Sequence, residues 1–402
     1  YRLYRMRWAI LLTIMLLNIA NSMIWITYSA IAQTGSSYFQ MSLTATNMLN
    51  LVFYICYLVS SVPSAFVIDR HGIRAALACG AVGTVLGAWL RYLAVVIPMA
   101  PHASYAVTMV GHILAGLSQP FILNLPTKFA ATWFPEDGRA IANMVSTASN
   151  PIGIALGSVL VPALAPNADG LPTMLVVIAA IATVAALPIF WVRATPPTPA
   201  CPPPPPSEHS FLQGVRVALS MPGFWALVIL FGGMVGVFSA LTGLLNNIVI
   251  PYGYSEDDAG IFGAVTILAG LVGAAIVSVF IDKTAKHKPT VRATLPFTMA
   301  TFIGLIFAVR SDSFEVIIVL MAMVGLFCFS LLPVGLELSV ECTYPVPEAS
   351  STGLLWMAGQ AIALVTQLVM NVLRDDEGAD HGQDPLLPPG NMRNALILLA
   401  AL

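Results

Sequence analysis

Charge is scarce in this chain, and the scarcity narrows its solvent. Only 9% of the 402 residues are Asp, Glu, Lys or Arg, while 58% are hydrophobic. A soluble globular domain averages about 25% charged residues. This chain has too little polar surface to face water all round, and a lipid bilayer is the natural solvent. Its net charge of −2 points to no soluble partner, and nothing in it suits a nucleic-acid surface. Cysteine is sparse too. Cys56, Cys79, Cys201, Cys328 and Cys342 match no metal-ligand spacing, so neither a metal site, a cofactor nor a structural disulfide is expected. No Ser-His-Asp, Cys-His or metal constellation is present, which argues against an enzyme.

What is present is a series of apolar runs near the 20 or so residues that a bilayer span requires. They fall at 8–33, 43–68, 75–98, 105–130, 140–164, 171–193, 221–250, 259–281, 293–309, 315–340, 349–373 and 391–402, the last cut short. The first is too long and too polar for the core of a cleavable signal peptide. With a cytoplasmic N-terminus, all Lys and Arg except Arg91, Arg310, Arg374 and Arg393 fall on the cytoplasmic side. That asymmetry sets the orientation.

One arrangement occurs twice. Ser64–Arg70 closes one apolar run and Ser278–Lys283 another, with Asp69 and Asp282 standing 213 positions apart. Phe134-Pro135 precedes a helix with Asn150, and Tyr344-Pro345 precedes one with Gln360; both offsets are 210. Between the copies lies the proline run Pro202–Pro206, which cannot form regular helix. The expected fold is an all-α membrane protein of the twelve-span major facilitator type, two six-helix bundles related by a pseudo-two-fold axis. The N-terminal bundle takes 1–193, a Pro-rich cytoplasmic linker 194–220, and the C-terminal bundle 221–402.

Asp69-Arg70-His71-Gly72-Ile73-Arg74 matches most of that superfamily's G-x-L-a-D-R-x-G-R-R signature, with Ala65 in place of the first Gly. A carboxylate at a helix end can pair with Arg and with helix N-termini. Asp69, with Arg70, Arg74, Arg139, Glu337 and Glu341, is therefore the expected cytoplasmic gate. The plainer reading makes Asp69 and Arg70 solvated topological anchors.

Polar residues within spans cost energy unless they meet a cavity or a partner. Asn18, Asn21, Trp25 and Tyr28 form one stripe on span 1, at steps of 3, 4 and 3. Gln119 stands two turns after His112 on span 4. Asn150 lies on span 5, Ser239 and Asn246 on span 7, and Gln360 on span 11. Each Asn or Gln alone reads more readily as glue between helices than as a ligand contact, and His112 as a packed, neutral ring rather than a proton carrier. No Asp, Glu or Lys lies near the centre of a span, and Arg91 sits towards the outer end of span 3. A pocket without basic residues has no counter-charge for an anion. Trp25 with several amides suits a diffuse cation, through cation–π attraction of roughly 0.5–2 kcal/mol. The missing buried carboxylate favours a facilitator over a proton-driven carrier.

At these residues the chain resembles the FLVCR-type transporters of solute carrier family 49, and most nearly that family's least characterised branch. The matching pieces include Trp25–Ser29, Gln119–Pro126, Trp133-Phe134-Pro135, Ser149–Gly153, Leu244-Leu245-Asn246 and Leu332–Pro345. The family is associated with haem transport and with choline and ethanolamine uptake. The resemblance places the cation-site Trp on Trp25 and its two Gln on Gln119 and Gln360. The family's span 7 Tyr falls on Ser239, a departure that removes half of the aromatic cage; Tyr28 or Phe238 could replace it in part. The implied function is uniport of a small organic cation by alternating access, from a monomer in the plasma membrane. Haem is the alternative substrate, with His112 the only core histidine and no basic residue beside it. A receptor or sensor on the same fold is the non-transport alternative.

Overall fold

The computed structural model describes residues 3–198, 211–284, 286–343, 346, 348–374 and 388–401. Fourteen α-helices and three short 3-10 turns make up its regular structure. In chain order α1 is Met6–Ala30, α2 Ala32–Phe39, α3 Leu43–Val96, α4 Pro101–Leu123, α5 Leu125–Trp133, α6 Glu136–Leu164 and α7 Leu171–Ala186. Then come α8 Phe211–Ser220, α9 Pro222–Val249, α10 Glu256–Thr284, α11 His287–Ala308, α12 Phe314–Thr343, α13 Glu348–Val372 and α14 Arg393–Ala401.

Among the described residues, ten helical segments are long and apolar enough to cross a membrane. Two of the twelve expected spans are joined in α3. Its 54 residues would reach about 80 Å at 1.5 Å per residue, against a hydrocarbon core of about 30 Å. It therefore holds two spans. They meet at Gly72, whose φ of 81° lies in the left-handed region where a β-carbon is costly. The residue that turns the chain is thus the glycine of the Asp69–Arg74 motif. The twelfth expected span falls on α14, whose nine residues are too few to cross a bilayer.

The chain divides into two compact units, Tyr1–Tyr28 with Gln33–Glu208, and Ser29–Ala32 with His209–Leu402. The expected linker differs from a plain tether at its C-terminal end, because Phe211–Ser220 is helical. The proline run lies outside the described residues. Four cysteines, Cys56, Cys79, Cys328 and Cys342, are free thiols.

Local sequence explains the helix ends. Ser42 caps α3, its hydroxyl accepting from the Ala45 amide at 3.2 Å. Ser255 and Asp258 cap α10 reciprocally: Asp258 accepts from the Ser255 amide at 2.9 Å, and Ser255 Oγ from the Asp258 amide at 3.1 Å. Glycine explains the close packing within each unit. In the first unit a β-carbon at Gly83 would stand 2.7 Å from Ser118 Cβ and 2.9 Å from the Leu114 carbonyl. In the second unit one at Gly325 would strike the Thr266 carbonyl. Small residues let helix backbones approach in lipid, where apolar burial alone gives no preference for helix over lipid.

Candidate functional site

In the first unit the stripe on α1 meets a matching stripe on α3 that the sequence reading passed over. Asn47, Asn50, Tyr54 and Tyr57 repeat the steps of 3, 4 and 3, and all four are buried. Trp25 and Tyr54 pack edge to face with centroids 6.0 Å apart. Asn50 Nδ2 donates to the Trp25 carbonyl at 3.4 Å. Tyr57 donates to Asn124 Oδ1 at 2.8 Å. The spacing was the available signal for Tyr54.

The α1 stripe splits by role. Asn21 is glue: its Nδ2 reaches Thr84 Oγ1 at 3.1 Å, the Ala115 carbonyl at 2.9 Å and Ser118 Oγ at 3.3 Å. Those contacts tie α1 to α3 and α4. Trp25 and Gln119 keep 6% and 8% of their surface open, whereas Tyr28 keeps 1%. Tyr28 turns instead to Phe39 and His112, with centroids 5.5 and 5.4 Å away. It is therefore a poor substitute for the missing cage aromatic. Asn150 is half-buried, and its Nδ2 has no hydrogen-bond partner.

Arg91 corrects the expectation of a region without buried cations. It is the one Asp, Glu, Lys or Arg in the buried class among the described residues, at 0% exposure. Its guanidinium carbon stands over the Tyr28 ring at 5.4 Å. The reading that no basic residue lies near His112 is corrected with it, since both pack on Tyr28. An Arg near the end of an apolar run ordinarily reaches for water. Here Gly111 leaves room for the stem, because a β-carbon there would stand 2.7 Å from Arg91 Cγ.

In the second unit Asn246 Nδ2 donates to the Ala30 carbonyl at 3.1 Å and to Glu256 Oε1 at 3.2 Å. Both amide hydrogens are thus committed. Ala30 ends α1, so Asn246 satisfies a carbonyl left over by the helix break at Ile31. Ser239 offers its main-chain carbonyl to Gln367 Nε2 at 3.0 Å. Phe238 packs on Phe329 with centroids 4.6 Å apart and planes tilted by 46°, and is engaged there. Gln360 keeps 8% exposure.

Asp69 has a partner outside the expected set. Asp69 pairs with Lys128 at 3.5 Å, and neither with Arg70 nor with Arg139. Arg70 lies over Phe66 at 5.6 Å. Arg139 Nη2 donates to the Ala131 carbonyl at 3.4 Å. Arg74 is exposed. In the second unit Glu341 pairs with His287 at 3.6 Å. The side chain of Glu337 lies outside the described residues.

Comparison with known proteins agrees with this architecture. A sequence profile described as Major Facilitator Superfamily matches residues 10–371. Solute carrier family 49 member A3 of Danio rerio is 35% identical over 377 residues, covering 93% of this chain and 80% of that protein. The choline/ethanolamine transporter FLVCR2 of Homo sapiens is 28% identical over 393 residues, covering 94% and 74%. In fold, the chain matches the D-xylose-proton symporter with a TM-score of 0.73 at 15% identity, over 99% of this chain and 97% of that one.

Proposed function

We propose that this chain, which belongs to solute carrier family 49 of the Major Facilitator Superfamily and is a transporter rather than an enzyme, carries a small organic cation of the choline or ethanolamine kind. The observation that carries the reading is the Trp25–Tyr54 pair. It sets an aromatic surface at a position that keeps some exposure, on a span stripe free of carboxylates. An alkylammonium group is attracted to such a ring face, and its hydration shell is lost at modest cost because its charge is diffuse. Gln119, in the same unit as Trp25, supplies an amide for the substrate's polar end. The unpartnered Nδ2 of Asn150 is a donor for an amino-alcohol hydroxyl. Relatives named choline/ethanolamine transporters at 27–30% identity support the same class. Tyr28 and Asn246 contribute through packing and through the α1 break, and Ser239 through its main chain.

The transport mode follows from charge. No buried Asp or Glu occurs among the described residues, so no carboxylate is placed to carry a proton alongside substrate. We read the cycle as facilitative uniport by alternating access, from a monomer in the plasma membrane with a cytoplasmic N-terminus. A cation then accumulates with membrane potential, at about 2.3 kcal/mol per 100 mV. Haem is the weaker reading. The His112 ring is fully buried, with Tyr28 and Phe53 packed on it at 5.4 and 5.6 Å, and offers no open axial face.

The test is uptake into proteoliposomes of labelled choline, ethanolamine and haem in parallel. An inside-negative potential should drive cation uptake, while a pH step at clamped potential should change it little. Trp25→Ala should weaken apparent affinity more than about tenfold, since aromatic contact and burial go together. Unchanged uptake in that variant removes the site. Uphill uptake driven by a proton gradient alone removes the uniport.

A further inference from the structure

Arg91 poses a problem that the cation site does not solve. A guanidinium stays protonated in proteins, and a buried charge needs a partner. Arg91 has 0% exposure, and its Nε, Nη1 and Nη2 all lack a hydrogen-bond partner. Neither α1 nor α4 contains Asp or Glu. The one acid in α3, Asp69, is exposed and paired with Lys128. The Tyr28 ring faces the guanidinium, yet a ring face does not satisfy the N–H groups along the guanidinium edge.

The surrounding groups share one character. The Tyr28 hydroxyl and Thr108 Oγ1 are also buried without partners. Each can donate. His112 Nδ1 lies 3.3 Å from the Thr108 carbonyl, which only accepts, so that nitrogen carries the proton. Its bare Nε2 does not join the donor set in the neutral ring. Phe39 packs over Tyr28 and Tyr105, at 5.5 and 5.7 Å, and closes the cluster with aromatic carbon. The Tyr28 hydroxyl stands within reach of both Arg91 and Thr108 and can accept from the guanidinium, but a neutral hydroxyl does not balance its charge, and no anionic acceptor is buried among the described residues.

We propose that Arg91, Tyr28 and Thr108 form a binding site for a small monovalent anion of the halide class. A single-atom anion accepts from any direction. It needs less room than the four oxygens of a phosphate, which matters among side chains with 0–1% exposure. Gly111 belongs to the same design, because its missing β-carbon lets the Arg91 stem lie against α4. If the chain carries organic cations, the anion has a second effect. Tyr28 is one turn from Trp25, and a neutralised Arg91 no longer repels a cation bound there.

The experiment uses the full chain in nanodiscs, without organic substrate. Thermal stability is measured in sodium chloride against sodium gluconate at equal ionic strength, together with binding of radiolabelled chloride. The wild type should bind chloride saturably, with bromide competing and gluconate not, and should gain stability over the same concentration range. Thr108→Val and Tyr28→Phe each remove one donor and keep the cation, and should raise the chloride midpoint about tenfold, the equivalent of 1.4 kcal/mol. Arg91→Gln should abolish binding. If Arg91→Gln does not fold, the two conservative variants decide: unchanged midpoints in both overturn the site. Equal wild-type behaviour in chloride and gluconate overturns it as well. Because no cation flux is read, failure of choline uptake would leave this result standing.

Discussion

Asn21 in the first unit bonds groups on two neighbouring helices, and Tyr57 reaches Asn124 from α3. In the second unit rings also pack in pairs. Phe231 packs on Trp356 at 5.4 Å, Phe238 on Phe329 at 4.6 Å, and Phe262 on Phe314 at 5.0 Å. Two halves that share a span pattern thus hold themselves together differently. Lipid competes equally well for apolar surface, so helix association rests on close packing and interhelical hydrogen bonds. The first unit uses both. The second adds polar clasps such as Asn246 and Gln367 to its packing. Only the first unit, among the described residues, buries a charge.

Backbone-to-backbone glycine contacts are common to both units, and there the comparison predicts equal, large effects. A β-carbon at Gly325 meets the Thr266 main chain, and one at Gly87 meets the Gly111 carbonyl at 2.5 Å and the Ala115 nitrogen at 3.0 Å. Main chain cannot rotate away. Gly325→Ala and Gly87→Ala should each cost about 3 kcal/mol or more, seen as loss of monodisperse protein after a heat step. Gly233 has nothing within 4 Å, so Gly233→Ala should be neutral or slightly stabilising. If Gly325→Ala behaves like Gly233→Ala, the packing account of the second unit fails.

The next effect separates the units. Asn21→Leu removes the amide that joins Thr84, Ser118 and the Ala115 carbonyl. Thr84 and Ser118 retain each other at 3.0 Å, so the expected loss is about 1 kcal/mol, within the range of interhelical hydrogen bonds in membranes. Phe238→Leu in the second unit should cost about as much, through the lost ring pair. The two should differ in kind. Adding Ser118→Ala to Asn21→Leu should be strongly non-additive, whereas adding it to Phe238→Leu should be additive. Additivity in both would mean that the polar network is no network.

Much of the fold was legible because bilayer thickness leaves a plain mark. Apolar runs of about 20 residues, a proline break and a doubled Asp motif need no tertiary knowledge. The exact joints were less so. The break between 68 and 75 was expected, but not that it falls on Gly72 alone, with backbone bonding otherwise making one continuous helix across it. The site was legible as helix stripes and as a family likeness, but which stripe member faces a ligand depends on neighbours. Tyr28 and Trp25 look alike by spacing, and packing alone sends Tyr28 to Arg91 and His112. Arg91 was misread because its room comes from Gly111, twenty positions away in sequence and adjacent only across two packed helices. Lys128 was not among the expected partners of Asp69 for a similar reason: it sits on α5, whose start depends on the break at Asn124.

The smallest thermodynamic effect belongs to that last pair, and it bears on switching. Asp69 and Lys128 are 3.5 Å apart with side chains 56% and 44% exposed. An exposed pair contributes about 0–1 kcal/mol and is screened by salt. Asp69→Asn should therefore leave thermal stability almost unchanged, and Lys128→Gln likewise. If the pair is a latch, its worth lies in being made in one conformation and broken in another, so that even a small difference shifts the rate of exchange. Asp69→Asn should then slow turnover by a larger factor than it changes substrate affinity, and the charge swap Asp69→Lys with Lys128→Asp should recover part of the rate. Raising salt should weaken the wild type's advantage over Asp69→Asn. A variant that loses affinity while exchanging at the normal rate would instead place Asp69 in substrate binding, and the gate would have to be sought among groups of the second unit such as Glu341 and His287.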